Sequence, residues 1–149
     1  MLNIVENIRE ENRLRLDHIA AVEGGERWTY RRLFAQVSHL RQKLGDCGID
    51  PGNRVAFRCE DGVAYIAASL ALLELGAAIV PVDVSLPENE VEKTMARIDV
   101  HGLLFQSKAG GDGSAGEPAN GTESGCRFRW RVRESPGQPG SVDQCTALC

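Results

Sequence analysis

Two kinds of apolar spacing alternate along the first 105 residues of the chain. In four segments, which begin near residues 4, 30, 63 and 88, apolar side chains recur at helical spacing or form apolar runs of helical length. Short runs rich in β-branched residues predict strands, at residues 19–22, 27–29, 55–58, 77–82 and 102–105. Strands that alternate with helices favour parallel pairing. We therefore predict an α/β fold, a mostly parallel sheet with covering helices, followed by an irregular Gly-rich tail.

Capping residues and glycines predict where two of these helices begin and end. Thr29 and Asp61 can each accept a hydrogen bond from the first turn of the helix that follows, so we expect both to be N-caps. Gly45 and Gly48 are expected to stop the first helix, and Gly76 the second. The second helix would then turn at once into a buried, central strand.

The composition changes near residue 106. Residues 106–149 hold 8 of the 16 glycines and 3 of the 6 prolines, and from the Leu, Ile, Val and Phe set they contain only Phe128, Val132, Val142 and Leu148. That is too little apolar surface for an independent core. We therefore divide the chain into a folded unit, residues 1–105, and residues 106–149, which we interpret as a flexible Gly/Pro-rich connection or a truncated continuation. A shifted reading frame is a further alternative for this second part.

Within the second part, residues 127–133 alternate between apolar and basic side chains. Phe128, Trp130 and Val132 would face one side of a strand, and four arginines the other. A basic strand can contact phosphate groups, but residues 106–149 carry five basic and five acidic side chains, which leaves no net field for a polyanion. We expect a half-exposed strand on a larger domain, with solvated arginines.

The charge and the cysteines argue against several classes of function. The formal charge of −4 and the pI of about 5.4 lack the basic excess of a nucleic-acid-binding protein, so we expect no nucleic-acid partner. The five cysteines are scattered without a CxxC pair, and no histidine lies at ligand spacing from any of them. We predict reduced thiols, no metal site and a cytoplasmic location.

One segment, residues 63–82, is nearly long enough to cross a bilayer, and Glu74 is its only charge. A carboxylate near the middle of a membrane helix costs about 2.5–3.5 kcal/mol. Gly76 and Pro81 also interrupt the run. We therefore predict a helix followed by a strand, and no membrane span.

Four motifs follow one another along the first part. They are WTYRRL at residues 28–33, GNRVA at 52–56, LELGAAIVPVD at 73–83 and SLPENE at 85–90. The third predicts a helix end, a glycine cap and a strand that leaves the sheet at Pro81. Asp83 follows at the carboxyl edge of the sheet, where open α/β sheets bind ligands. Stabilisation of a turn is its expected role, and Pro87 suits the first turn of the next helix.

Together these motifs resemble the N-terminal portion of the acyl-adenylate-forming synthetases, the AMP-dependent synthetase/ligase family. That family includes acyl-CoA synthetases, as in fatty acid metabolism, and peptide-synthetase adenylation domains. The resemblance covers roughly residues 15–105, and Asn53 departs from the family's more usual Asp. In the third motif the matching residues are Leu73, Gly76, Ala77, Val80, Pro81 and Asp83.

The resemblance implies a reaction for the full-length enzyme. Such a ligase uses ATP and Mg²⁺ to convert a small carboxylic acid into an acyl-adenylate, and then passes the acyl group to the thiol of CoA or of a carrier's phosphopantetheine. The family's Ser/Thr/Gly-rich phosphate loop, which ends in lysine, has no counterpart here: residues 110–113 are Gly-rich but lack lysine. Residues 142–149 resemble the strand that precedes that loop.

We therefore assign no catalytic, cofactor-binding or metal-binding residue in this chain, and no oligomeric state. Adjacent carboxylates such as Glu60 and Asp61 are expected to be caps and solvated charges. The main hypothesis is an N-terminal fragment of an AMP-dependent ligase that is inactive alone. The alternative is a non-catalytic α/β binding or interaction module derived from that family.

Overall fold

The chain is described here from a computed structural model, which covers residues 3–107, 127–133 and 145–148. Within them lie four helices: α1 (Ile4–Glu11), α2 (Tyr30–Asp46), α3 (Val63–Glu74) and α4 (Glu88–Ile98). The strands are β1 (Ile19–Glu23), β2 (Glu26–Thr29), β3 (Arg54–Arg58), β4 (Ala78–Pro81), β5 (Gly102–Ser107), β6 (Arg127–Val132) and β7 (Cys145–Leu148). Every helix and strand predicted for the first 105 residues is present.

Five strands form the main sheet, in the order β4-β3-β5-β6-β7. Strand β3 pairs in parallel with both β4 and β5, whereas β6 is antiparallel to β5 and to β7. Four of the five strands therefore run in the same direction. The predicted α/β fold with a mostly parallel sheet is confirmed.

One face of this sheet, which we call the α2/α3 face, carries the larger core. Because side chains alternate along a strand, Val55 and Phe57 point to this face and pack against α2 and α3, and Phe128 and Trp130 of β6 join them. The ring of Phe57 lies 5.0 Å from the Tyr65 ring and 5.9 Å from the Phe128 ring, measured between centroids.

The opposite face, which we call the α4 face, is covered by α4. Ala56 and Leu103 point to this side, where Val91 and Met95 are buried beside them. Two parallel connections that leave one sheet on opposite faces are the arrangement of a doubly wound fold.

Strands β1 and β2 form a separate antiparallel hairpin over the α2/α3 face. Its turn uses Gly24 and Gly25, both with positive φ. The guanidinium of Arg32 lies 3.7 Å from the centre of the Trp28 ring. Strand β1 ends at Glu23, whose carboxylate reaches the start of α3.

The helix ends differ in part from the predictions. The Thr29 hydroxyl accepts a hydrogen bond from the Arg32 amide (3.2 Å), as expected of an N-cap. Gly45 does not stop α2, which continues to Asp46. Asp61 does not cap α3 either. The amide of Val63 instead donates to Oε1 of Glu23 (3.1 Å), so the cap comes from a residue 40 positions earlier.

Strand β4 was predicted to be buried and central, and this is wrong for the described sheet. It pairs only with β3 and lies at the edge of the described strands, with Ala78 and Pro81 exposed. The buried residues are Ala77 and Val82, which flank it. The main sheet continues from β3 through β5 and not through β4, so β4 has a neighbour on one side only. The spacing of residues along the chain does not reveal this order of strands.

The two described strands of the second part belong to the main sheet. Strand β6 forms where residues 127–133 predicted one, with Phe128 and Trp130 buried. The expectation of solvated arginines is wrong for Arg131 and Arg133, which form ion pairs with acidic residues of α4 and with Asp99. Strand β7 lies within residues 142–149, where the resemblance implied a strand. The stretches 110–113 and 142–144 are outside the described residues.

The prediction that the thiols are reduced is wrong at Cys47. Cys47, the residue after α2, is disulfide-bonded. The positions of the cysteines along the sequence do not show which of their sulfur atoms lie close together in the fold. Cys59 is buried, with its thiol hydrogen-bonded. Across the described part of the chain, no helix combines the length and the apolar character needed to traverse a bilayer.

Candidate functional site

A crevice of about 280 Å³ opens at the carboxyl edge of the main sheet. It lies where β3 and β5 end and where the loop after β4 begins. The connections after β3 and β4 run to opposite faces of the sheet, and such a position is where open α/β sheets bind ligands. The lining residues are Arg58, Cys59, Glu60, Val84, Ser85, Phe105 and Gln106.

Arg58 holds one wall of the crevice. Its Nη2 donates to the carbonyl oxygens of Val84 (2.8 Å) and Leu86 (2.6 Å), and Nη1 lies 3.3 Å from a carboxylate oxygen of Glu88. The side chain is 24% exposed, so these charge-assisted bonds are partly shielded from water. Arg58 thus fixes the loop after β4 to the end of β3.

Asp83 stabilises the turn in that loop, as expected from the sequence. Its Oδ1 accepts hydrogen bonds from the amide and the hydroxyl of Ser85, both at 2.7 Å. These bonds favour the ionised carboxylate and hold the pKa of Asp83 below its usual range. The carboxylate is therefore committed to the turn and does not serve as a proton donor near neutral pH.

Gln106 organises the opposite wall. Its Oε1 accepts from the Glu60 amide (3.2 Å) and from the Cys59 thiol (3.4 Å), while Phe105 adds an apolar surface. Glu60 was expected to be a cap or a solvated charge. In the structure it lines the crevice, and its amide is the donor to Gln106. Asp61 is exposed and caps no helix.

Arg58 and Gln106 were not singled out from the sequence. The only signal for Arg58 is a charged residue at the end of an otherwise apolar strand, RVAFR. No sequence pattern indicated a role for Gln106, which is the first residue of the second part of the chain.

Chemically, the crevice is a shaped, partly apolar recess whose polar groups already have hydrogen-bond partners. Among residues 3–107 and 127–133, no group of three or more His, Cys, Asp or Glu side chains could hold a metal ion. Arg58 and Gln106 therefore act as structural residues: their hydrogen bonds hold the loops after β4 and β3 in place at the carboxyl edge of the sheet.

Comparison with known families gives one match that covers most of the chain. The family described as AMP-binding enzyme matches residues 8–132. This range includes all four sequence motifs, the crevice and strand β6.

Related sequences include large peptide synthetases. The chain is 38% identical over 76 residues to surfactin synthase subunit 2 of Bacillus subtilis (strain 168), a match that covers 51% of this chain and 2% of that protein. It is 39% identical over 96 residues to CymA of Salinispora arenicola (strain CNS-205), a probable non-canonical nonribosomal peptide synthetase, covering 64% of this chain and 1% of the relative. The chain thus spans only a small fraction of these relatives' length.

Related structures include adenylating enzymes of the same kind. The N-terminal subdomain of Klebsiella oxytoca NpsA superposes with a TM-score of 0.64 at 25% identity, covering 69% of this chain and 27% of that one. The nonribosomal peptide synthetase FmoA3 superposes with a TM-score of 0.65 at 27% identity, covering 71% of this chain and 12% of the other.

The family match over residues 8–132 agrees with the fold shared with NpsA and with the motifs in the sequence. This chain belongs to the AMP-binding enzyme family, and it corresponds to the N-terminal part of an adenylation domain.

Proposed function

We propose that this chain is the N-terminal scaffold of an ATP-dependent carboxylate ligase of the peptide-synthetase type, and that it is inactive alone. The observation that carries the proposal is the likeness, over 69% of the chain, to an N-terminal adenylation subdomain of which it covers only 27%.

In the full enzyme, a carboxylate oxygen of the substrate attacks the α-phosphorus of ATP. The acyl-adenylate forms and pyrophosphate leaves. A thiol then attacks the acyl carbon, a thioester forms and AMP leaves. We place the thiol on a carrier's phosphopantetheine, because the relatives include peptide synthetases. CoA, the acceptor of an acyl-CoA synthetase in fatty acid metabolism, is the competing assignment.

The described residues do not fit a triphosphate with its Mg²⁺. A divalent cation in such a site needs clustered oxygen ligands, and the described residues offer no cluster of acidic or other metal-ligating side chains. The guanidinium of Arg58, the cation on the crevice wall, is engaged by two carbonyl oxygens and by Glu88. We assign no step of the reaction to these residues.

Two features of the proposal concern organisation and location. Residues 1–105 form the partial adenylation subdomain and residues 106–149 its continuation, which is supported by the pairing of β6 with β5. We also propose a cytoplasmic location for the enzyme. The disulfide at Cys47 counts against this location, because disulfides are rare there.

An ATP–pyrophosphate exchange assay tests the first part of the proposal. The chain alone, with a panel of aliphatic, aromatic and amino acids, should give only the background of an enzyme-free control. Acid-dependent exchange would overturn the claim that the reacting groups lie outside this chain.

The DNA after the codon for Cys149 tests the second part. We expect a frame that encodes a TSGTTG-like phosphate loop followed by several hundred ligase-like residues. A reading frame that closes with nothing related beyond it would favour the non-catalytic interaction module.

A further inference from the structure

The disulfide of Cys47 joins the two parts of the chain. Cys47 is half-buried and lies directly after α2, and its sulfur is disulfide-bonded. The chain has five cysteines, and Cys59 is a free thiol. The partner of Cys47 is therefore one of the three cysteines of the second part, which are Cys126, Cys145 and Cys149.

The strand pairing separates these three candidates along the sheet. Strand β7 is antiparallel to β6, and β6 is antiparallel to β5, so β7 runs in the same direction as β3 and β5. Leu148, at the end of β7, pairs with Arg127, and Arg127 pairs with Ser107 at the end of β5. Cys126 and Cys149 are the sequence neighbours of Arg127 and Leu148. Their sequence positions therefore tie both to the carboxyl edge of the sheet.

Cys145 begins β7 and is nearer to the opposite edge, where the parallel strands start. It pairs with Trp130, which is buried on the α2/α3 face, and directly opposite residues of an antiparallel pair share a face. Helix α2 covers this face and contacts β7. A short loop leads from Cys47 to Arg54, the first residue of β3, so α2 ends at the edge where the parallel strands start. The backbone placement therefore favours Cys145 as the partner.

We propose that Cys47 bonds to Cys145, and that this bond is a redox-sensitive clasp, which fixes strand β7 to α2 when oxidised and releases it when reduced. Among the described strands, β7 pairs with β6 alone, so one row of backbone hydrogen bonds joins it to the sheet. Such an end strand is among the first parts of a sheet to open. Cys47 is half-buried, so a small thiol can reach its sulfur, whereas Cys59 is only 7% exposed.

The reductant is a low-molecular-weight thiol such as glutathione. Its thiolate attacks one sulfur of the disulfide, a mixed disulfide forms, and the other cysteine leaves as a thiolate. A second glutathione thiolate then attacks the glutathione sulfur of the mixed disulfide. The products are glutathione disulfide and two cysteine thiols, which take up the two protons that the glutathione thiols lost. Glutathione disulfide drives the reverse reaction.

A reversible bond agrees with the proposed location. Disulfides that form in the cytosol are usually transient and serve redox sensing or catalysis, whereas permanent structural disulfides belong to oxidising compartments. A clasp that opens at the cytosolic ratio of reduced to oxidised glutathione removes the objection that the disulfide of Cys47 raises against a cytoplasmic enzyme.

Peptide mapping of the non-reduced chain tests the pairing. Trypsin places Cys47 in residues 44–54 and both Cys145 and Cys149 in residues 134–149, so fragment ions that break the chain between the latter two assign the bond. We expect it at Cys145. In Cys145→Ser, Cys47 should react with iodoacetamide, whereas in the matched control Cys149→Ser it should stay protected. A bond from Cys47 to Cys126 or Cys149, or a protected Cys47 in Cys145→Ser, would overturn the inference.

Hydrogen exchange in glutathione buffers tests the clasp. At the cytosolic ratio of reduced to oxidised glutathione, the bond should open, and the amides of residues 145–148 should exchange about tenfold faster or more than in the oxidised chain. The amide of Val55, in a strand with neighbours on both sides, should keep its rate. Cys47→Ser should show the fast exchange in both buffers, and Cys149→Ser should behave like the unsubstituted chain.

Three results of the exchange experiment would contradict the clasp. A bond that persists at the cytosolic ratio would show a permanent structural disulfide. Unchanged exchange of residues 145–148 after reduction would show that the bond does not hold β7. An equal acceleration at Val55 would show that reduction unfolds the whole chain and does not release one strand. These measurements do not involve pyrophosphate exchange, so the inference and the proposed function fail separately.

Discussion

The two faces of the main sheet are stabilised in different ways. The α2/α3 face buries 17 of the described residues in one cluster, with Phe57, Phe128 and Trp130 among them, and the α4 face buries six. On the α4 face, two acidic residues each bridge two arginines: Glu88 contacts Arg58 and Arg131, and Asp99 contacts Arg54 and Arg133. Loss of apolar volume should therefore weaken the α2/α3 face most. Salt should weaken the ion pairs that join α4 and Asp99 to the strands of the α4 face.

The largest effect is expected from Phe57→Ala. Phe57 is 1% exposed and contacts two other aromatic rings, so truncation leaves a cavity. The free energy of unfolding should fall by about 3–5 kcal/mol in urea titrations. Phe105→Ala, at a half-buried position on the α4 face, is the control. Equal losses for the two variants would remove the contrast between the faces.

On the α4 face, Met95→Ala should cost less, about 2–3 kcal/mol. Met95 is 3% exposed but belongs to the smaller cluster, which can relax toward solvent more easily. The same titration measures it, with Ile98→Ala as the exposed control on the same helix. A loss greater than that of Phe57→Ala would reverse the ranking of the faces.

Gly62→Ala probes the polar contact on the α2/α3 side. Its φ of +152° disfavours side chains, and a Cβ there would overlap the Glu23 carboxylate. We expect a loss of about 1–3 kcal/mol. Gly24→Ala is the matched control, since its φ of +56° is also positive but nothing lies within 4 Å of an added Cβ. If both variants lose the same amount, the contact with Glu23 contributes nothing beyond backbone strain.

Glu88→Gln tests the ion pairs of the α4 face. Its carboxylate contacts Arg58 and Arg131, which are 24% and 35% exposed, so the loss should be about 0.5–1 kcal/mol. Thermal melts at low salt and at 1 M NaCl should show the difference shrinking as salt screens the charges. Glu90→Gln, in the exposed pair with Lys93, should change Tm less. A loss that does not depend on salt would point to packing.

The smallest effect concerns Asp83 and pH. The pKa of this carboxyl is lowered by hydrogen bonds from Ser85, so its contribution is fully present above the unfolded pKa, about 4, and is lost as pH falls through the lower folded value. The Tm difference between the chain and Asp83→Asn should stay constant above about pH 5 and shrink below about pH 4. A difference that widens in acid would contradict the assigned direction.

Much of the fold could be predicted because local signals agreed with the final packing. Thr29 caps α2 with its own side chain, and Leu33, Val37 and Leu40 repeat at the spacing of a buried helix face. These features depend on neighbours within one turn of helix. The family could likewise be recognised because its motifs consist of helix starts, helix ends and turns, which also depend on neighbouring residues.

The errors arise where distant parts of the chain meet. Glu23 replaces Asp61 as the cap of α3, β4 lies at an edge, and Arg131 pairs with Glu88 and Glu92. The crevice escaped prediction for the same reason, because its walls come from the ends of β3 and β5 and from the loop after β4. None of these contacts leaves a periodic pattern in the sequence.

The cap on α3 has a further consequence for measurements of motion. The Val63 amide is bonded to Glu23 and not to a residue of its own helix, so it loses protection when the β1–β2 hairpin lifts away. The Ala67 amide, deeper in α3, becomes exposed only when the helix itself opens. The exchange rates of these two amide hydrogens therefore measure two separate motions. The rate at Val63 measures how often the β1–β2 hairpin detaches from α3, and the rate at Ala67 measures how often the helix opens.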